Sequence, residues 1–420
     1  MAILVENVNY SIRVSLTALN LVGFWATNNM TDHKNLLYKL YSFFSFMFLL
    51  GTYLITQSVD LFIIWGNIPL MTGTAFVLFT NLAQAAKIFN ILLRRKMIQR
   101  IIDEADEVLR AEESEEAKRI VKNCDRETKF QQIFYVCLTT VTVAGWAGSA
   151  ESNQLPLRAW YPYDTTKSPA YELTYIHQVA ALFIAAYLNV GKDTLVTTLI
   201  AQCRCRLKLL GLSLRMLSHD LEICHKIPLP SDQERVITVR LRRCIKRHQS
   251  ALEAGVHLQT CFSAPVFAQF TVSLVIICVT AFQLASQTGN PVRLLSMGTY
   301  LLNMMFQVFL YCYQGNQLSE ESTKVADAVY QTPWYTFPMR VKRSILILMT
   351  RCRHVARLSA GGFTTLSLTS FMAVNISGDF FKYRSVFTHM ADRLFCCLFS
   401  HKLYFYRLMV YMMEGGFRRL

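Results

Sequence analysis

The chain has 420 residues, of which 53% are hydrophobic and only 17% charged, and its mean hydropathy is +0.27. An ordinary soluble chain carries about 25% charged residues, whereas here apolar and charged residues fall into separate long blocks, which excludes disorder, collagen and coiled coil and argues against a cytosolic enzyme. The net charge of +15 lies beside apolar blocks, where it reports orientation in a lipid bilayer rather than a nucleic-acid surface.

The opening Met1-Ala2-Ile3-Leu4-Val5-Glu6 has no basic leader and no small-residue cleavage site follows it, so the first membrane segment is expected to be its own insertion signal. A helix needs about 20 mostly apolar residues to cross the hydrocarbon layer. Blocks of that kind lie near 38–60, 68–93, 131–150, 173–200, 262–286 and 293–314, with a seventh candidate near 360–376. The second block stops on Arg94-Arg95-Lys96, a natural membrane edge. Between blocks two and three, residues 94–130 alternate charge clusters with Ile101, Ile102, Val108, Leu109, Ile120 and Val121 at helical spacing, which reads as a solvated amphipathic helix.

Basic residues crowd the connectors 201–260 and 316–357. By contrast, the 151–172 loop has only Arg158 and Lys167, and 287–292 has none. Lys and Arg favour the cytoplasmic side. The expected architecture is therefore an all-α polytopic membrane protein with seven transmembrane helices, its N-terminus cytoplasmic and its C-terminus extracellular. It divides into a cytoplasmic segment 1–37, a seven-helix domain 38–376 and an atypical tail 377–420. A G-protein-coupled receptor would have the opposite orientation. Nor does Asp-Arg-Tyr close segment three, Asn-Pro-x-x-Tyr occur in segment seven, or any Cys stand in the 151–172 loop.

Twelve cysteines are spread without a framework, and Cys203-Arg204-Cys205 offers two thiols with no further ligands nearby, so ordinary reduced thiols and no metal site are expected. Neither a catalytic triad nor a phosphate-binding glycine loop occurs in a credible context, which points away from an enzyme and from any cofactor. Lys192 and Asp193 within segment four are read as structural. Asn29-Met30-Thr31 is a glycosylation sequon on the side where it would go unused.

Several stretches carry a resemblance. They begin with Leu155-Pro156-Leu157-Arg158-Ala159-Trp160-Tyr161-Pro162-Tyr163-Asp164, before Ser168-Pro169-Ala170-Tyr171-Glu172, and include Cys244-Ile245-Lys246-Arg247-His248-Gln249. Near the C-terminus come Ala328-Val329-Tyr330-Gln331-Thr332-Pro333-Trp334-Tyr335, Ile345-Leu346-Ile347-Leu348-Met349, Leu358-Ser359-Ala360-Gly361-Gly362-Phe363 and Leu366-Ser367-Leu368-Thr369-Ser370-Phe371. In order and spacing this series is similar to the signature of insect odorant receptors, over about residues 15–374. The resemblance implies an odorant-tuned subunit of a ligand-gated non-selective cation channel, assembled as a heterotetramer with the co-receptor Orco in the plasma membrane of an olfactory sensory neuron. It also implies a seventh helix in two parts, an inner anchor at 338–356 and a pore helix after Gly362, with Val374 the last position to which a pore or gate role carries over. A gustatory receptor channel and a membrane transporter are the alternatives. The Trp-Tyr-Pro loop favours the odorant branch over the first, and the lack of internal repeats disfavours the second.

A volatile ligand is held by burial and shape, with few polar groups fixing its orientation. Trp146 in segment three is the first candidate contact, with Thr142 one turn before it. Phe76 and Phe79 share a face of segment two, and Met297 and Tyr300 share one in segment six.

After Val374 the family's ending fails. The chain turns to Asn375-Ile376-Ser377-Gly378-Asp379, with Lys382 and Arg384 following, and runs on to Arg418-Arg419-Leu420. Charges at mid-bilayer need water or a partner. Three readings are open: an imperfect gene model, which is the expectation, a charged watery pore wall, or an alternative product that folds but conducts poorly. The odd number of crossings gives a direct test: epitope tags on the two ends should label opposite faces of intact cells, and labelling from the same face would contradict seven crossings.

Overall fold

The computed structural model describes residues 9–26, 32–66, 68–148, 155–165, 167–219, 231–286 and 291–372. Val374 and the 377–420 tail lie outside them, as does the sequon residue Asn29. The elements are α1 (Tyr10–Leu21), α2 (Asp32–Phe46), α3 (Thr52–Ile63), α4 (Ile68–Arg110), α5 (Glu115–Gly148), α6 (Ala170–Arg215), α7 (Ser231–Ser286), α8 (Pro291–Tyr330), α9 (Met339–Cys352), and a hairpin of β1 (Ser359–Ala360) and β2 (Thr364–Thr365). A π-helical turn, Met47–Gly51, joins α2 and α3 into one rod.

The fold is that of an all-α polytopic membrane protein. Among the described residues, four rods are long and apolar enough to cross a bilayer: Asp32–Ile63, Ala170–Ser218, Ser231–Ile277 and Leu295–Tyr330. α4 and α5, with 43 and 34 residues, have the length and pack among them. Large apolar side chains point outward, including Phe44 at 66% exposure, Phe62 at 68% and Leu93 at 72%. Patches of that kind are rare on soluble monomers and mark a lipid-facing surface.

Three parts of the chain depart from the sequence reading. α1 has no counterpart among the expected segments. Asn9 caps it by accepting bonds from Ser11 N and Ile12 N at 2.9 and 3.3 Å. Ile12, Leu16 and Leu19, at the i, i+4, i+7 spacing of one helical face, are buried in the main core. Ser15 on the same helix meets Thr194 of α6 at 3.0 Å. The charge-dense stretch 94–130 is likewise not a single extension of segment two. It breaks at 111–114, so that α4 runs on to Arg110 and α5 begins at Glu115.

The seventh segment does not begin as a helix at residue 360. Residues 359–365 form the hairpin, and helix resumes only at residue 368. The reason is local. Gly361 and Gly362 take φ of +61° and +78°, a left-handed turn that glycine tolerates and a helix does not contain. α7 then holds the hairpin: Gln259 bonds Ser359 in both directions, at 2.8 Å to its N–H and 2.9 Å to its carbonyl, and Gly361 N donates to Ser263 O at 3.1 Å. The apolar Ala-Gly-Gly-Phe run is a hydrogen-bonded corner between α9 and the last helical residues.

α8 approaches this corner so closely that a Cβ at Gly315 would fall on the Leu366 side chain and carbonyl, whereas one at Gly255 would meet nothing within 4 Å. Gly315→Ala should therefore destabilise the detergent-solubilised protein by about 1–3 kcal/mol, the usual cost of overpacking. Gly255→Ala in the middle of α7 should raise stability by roughly 0.5–1 kcal/mol. Thermal unfolding followed by fluorescence-detected size exclusion would show the opposite shifts.

Candidate functional site

Toward the end of the bundle where α4, α6 and α8 begin lies a cavity of about 100 Å³. Each wall is one helical face. α4 contributes Val77, Thr80, Asn81 and Gln84; α5 contributes Tyr135, Thr139, Thr142, Val143 and Trp146; α8 contributes Tyr300, Asn303 and Met304. These are i, i+3, i+4, i+7 series, as straight helices require. α6 supplies small residues, Ala181, Ala185 and Ala186, with Leu182, Asn189 and Val190, and it is their small side chains that leave the space. Leu49 and Tyr53 close the side toward α3.

Leu157 from the loop before α6 also lines the cavity, and it is fixed there by Gln178. That fully buried side chain accepts from Leu157 N and donates to Leu157 O, both at 3.0 Å, and donates to Tyr161 Oη at 3.0 Å. Arg158 is tied to buried Asp60 at 3.2 Å, and Thr74 donates to the same carboxylate oxygen at 2.8 Å. The Leu-Arg-Ala-Trp-Tyr motif is thus a pinned cover.

The expected contact residues divide. Trp146, Tyr300 and Thr142 lie together on the cavity wall, with the Trp146 and Tyr300 rings edge to face at 6.5 Å and 83°. The Thr142 hydroxyl is turned back onto Leu138 O at 2.8 Å, leaving chiefly its methyl for a ligand. Phe79 instead packs with the α3–α4 cluster of Leu61, Ile64, Met71 and Ala75. Phe79 is one residue, about 100°, away from Thr80 on the face that meets the cavity. The side chain of Phe76 lies outside the described ones. Met297 is buried one turn nearer the α8 N-terminus than Tyr300 and does not line the cavity.

Sequence reasoning missed most of the polar lining, because single Thr, Asn and Gln residues in apolar blocks carry no signal of which face they take. Most of them are committed to protein partners. Thr80 meets the Tyr300 hydroxyl at 2.9 Å, Asn81 donates to Gln57 Oε1 at 3.1 Å, and Thr139 donates to Asn303 Oδ1 at 3.2 Å.

Toward the opposite end the cavity meets a charged floor centred on Asp193. Its carboxylate accepts from Lys87 Nζ at 2.5 Å, Tyr311 Oη at 2.9 Å, Tyr135 Oη at 3.2 Å and Gln307 Nε2. Lys87 also reaches Asn189 Oδ1 at 3.3 Å, and Gln269 of α7 donates to Gln307 Oε1 at 2.8 Å. Five helices, α4 through α8, meet in this network. Tyr135 and Asn189 belong both to it and to the cavity wall. The neighbouring Lys192 points elsewhere, toward Gln84 O at 3.5 Å, as adjacent helical positions must. Beyond the floor, the helix extensions are clamped by Arg204–Glu127 at 2.8 Å and Arg206–Glu104 at 2.9 Å. Burial tends to raise the Glu104 carboxyl, but hydrogen bonds from Arg206 and Ser250 outweigh it and hold the pKa below the usual value. The described cysteines are free thiols, and among the described residues no His, Cys, Asp and Glu cluster could hold a metal ion.

Residues 67–375 match the model of the 7tm Odorant receptor family. Odorant receptor Or1 of Anopheles gambiae is 24% identical over 87% of this chain and 92% of that receptor. Odorant receptor 46a, isoform A, of Drosophila melanogaster is 22% identical over 73% of this chain and 80% of its own. Among solved structures, the insect olfactory receptor OR5 from Machilis hrabei in complex with eugenol superposes with a TM-score of 0.76 at 18% identity, covering 90% of this chain and 97% of that one.

The floor yields a test. Removing one member of a buried ion pair leaves the other uncompensated, at a cost of about 3–5 kcal/mol. Lys87→Met and Asp193→Asn should each destabilise the protein by that order, and the double substitution by clearly less than their sum. Thermal unfolding of all four proteins in one detergent closes the cycle, and strict additivity would show that the pair is not coupled.

Proposed function

The chain belongs to the 7tm odorant receptor family, matched over residues 67–375, and from that premise we propose that it is the odorant-binding subunit of a ligand-gated non-selective cation channel. It works in a heterotetramer with the co-receptor Orco, in the plasma membrane of an insect olfactory sensory neuron. The N-terminus is cytoplasmic and the C-terminus extracellular, with residues 1–37, 38–376 and 377–420 as leading segment, seven-helix domain and tail. On this orientation the cavity opens from the outer half of the bundle, and the Arg- and Lys-rich extensions of α6, α7 and α9 lie in the cytoplasm.

The observation that carries the reading is the largely apolar cavity between α4, α5, α6 and α8, covered on one side by a pinned loop and floored by a five-helix polar network. An apolar cavity of roughly 150 Å³ takes benzene, so about 100 Å³ suits a small volatile. Trp146, Tyr300 and the methyl of Thr142 would supply contact area. Phe79 and Met297, which do not line the cavity, would act on the ligand only through the residues that do. Displacing Tyr135 or Asn189 disturbs the bonds to Asp193 and Lys87, which gives ligand binding a mechanical route to α7 and α8. That route would lead on to the pore helix after the hairpin, where a pore or gate role carries over no further than Val374 and opening would be the wetting of an apolar constriction.

Whole-cell recording from cells expressing this chain with and without Orco tests the proposal. Volatile-evoked cation current should require both proteins, and Trp146→Ala should raise the half-maximal concentration of effective ligands about tenfold, as loss of a buried aromatic contact does. Current from this chain alone would refute the obligate partner. Unchanged potency for every volatile would remove Trp146 from the site.

A further inference from the structure

Two polar atoms on the cavity wall are buried and have no hydrogen-bond partner in the protein: Gln84 Oε1 and the hydroxyl of Tyr53. The residues are only 6% and 4% exposed. The other polar side chains of the wall each have a protein partner. Gln84 stands on the α4 face, one turn from the bonded Thr80 and Asn81, while Tyr53 comes from α3, its ring stacked on His177 at 5.6 Å and 7°. A buried donor or acceptor left unpaired is costly. In a cavity whose remaining wall is apolar or already bonded, these two atoms are what a ligand can satisfy.

Resting on the reading of this cavity as an odorant site, we propose that its ligands are compact hydroxyl-bearing volatiles, small alcohols, oriented by Gln84 and Tyr53. The chemistry of the pair selects the class. An amide oxygen accepts and never donates, so it requires a ligand N–H or O–H. A tyrosine hydroxyl donates to a ligand oxygen. A hydroxyl has both a donor for Gln84 and an acceptor for Tyr53, and it stays neutral. A ketone or aldehyde satisfies Tyr53 and leaves Gln84 unpaired; a hydrocarbon satisfies neither. An amine or carboxylic acid, ionised at neutral pH, would carry an unpaired charge into an apolar site. Sites that hydrogen-bond a ligand hydroxyl discriminate strongly against analogues that lack it, because their own buried groups then go unpaired. The volume of about 100 Å³, smaller than the roughly 150 Å³ that takes benzene, restricts the ligand to about four or five non-hydrogen atoms.

Binding can be measured apart from conduction by ligand-dependent thermal stabilisation of the full chain in lipid nanodiscs, using 2-butanol, butanone and 2-methylbutane as a size-matched series. 2-Butanol should bind about tenfold tighter than 2-methylbutane, with butanone between them. Gln84→Met should bring the alcohol down to the ketone, and Tyr53→Phe should weaken both oxygenated ligands. 2-Methylbutane should stay within about twofold throughout, which also reports that each variant is folded. Should one variant fail to fold, the other decides. Equal affinities in the unsubstituted protein, or an alcohol preference that survives the folded variants, would overturn the assignment. If none of the three binds while other volatiles do, the hydroxyl class is wrong and the odorant site stands. If no volatile stabilises the chain at all, both fall.

Discussion

A carboxylate buried at the centre of a bilayer-spanning bundle must be neutralised, and Asp193 is neutralised from four directions. Lys87 supplies the charge, and two tyrosines and a glutamine complete the hydrogen bonds. A lone charge at that depth would be prohibitively expensive, and removing one partner of a satisfied pair exposes much of that cost. The group therefore sets the register of α4, α5, α6 and α8 against one another. Gln307 carries it to α7 through Gln269. Apolar helix faces can slide by a turn at modest cost, whereas a five-helix polar junction at one depth cannot.

The cavity follows from that junction. With the helices locked at the floor, the alanines of α6 face the larger side chains of α4, α5 and α8 across a gap that nothing fills. The Leu157 loop covers the side because Gln178 satisfies its backbone in both directions. The wall and the floor share Tyr135 and Asn189, so two residues that line the cavity also hold bonds of the junction. The hairpin at 359–365 is bonded to Gln259 and Ser263 of α7, and Leu366 just after it packs against Gly315 of α8. Cavity, polar junction and hairpin thus have α8 as a common support, and the last two share α7 as well.

Amino-acid order by itself determined the class of protein and most of its long elements, because the bilayer imposes a one-dimensional rule: about 20 apolar residues per crossing, charges between. The family signature was readable for a related reason, since motifs such as Leu358-Ser359-Ala360-Gly361-Gly362 are local and keep their spacing. That Trp146, Thr142 and Tyr300 fall on one wall was accessible from depth and helical face. Tertiary structure decided what depends on rotation about the helix axes and on distant partners. Phe79 turns toward α3 rather than the cavity, α1 docks into the bundle, and Gly361 and Gly362 replace a helix start by a turn. It also gave Asp193 its partner: Lys87 is 106 residues away in sequence, and nothing in the neighbourhood of either residue marks the other. Side-chain pairing inside an apolar medium is enforced by the absence of water, and that constraint acts only once the helices have assembled.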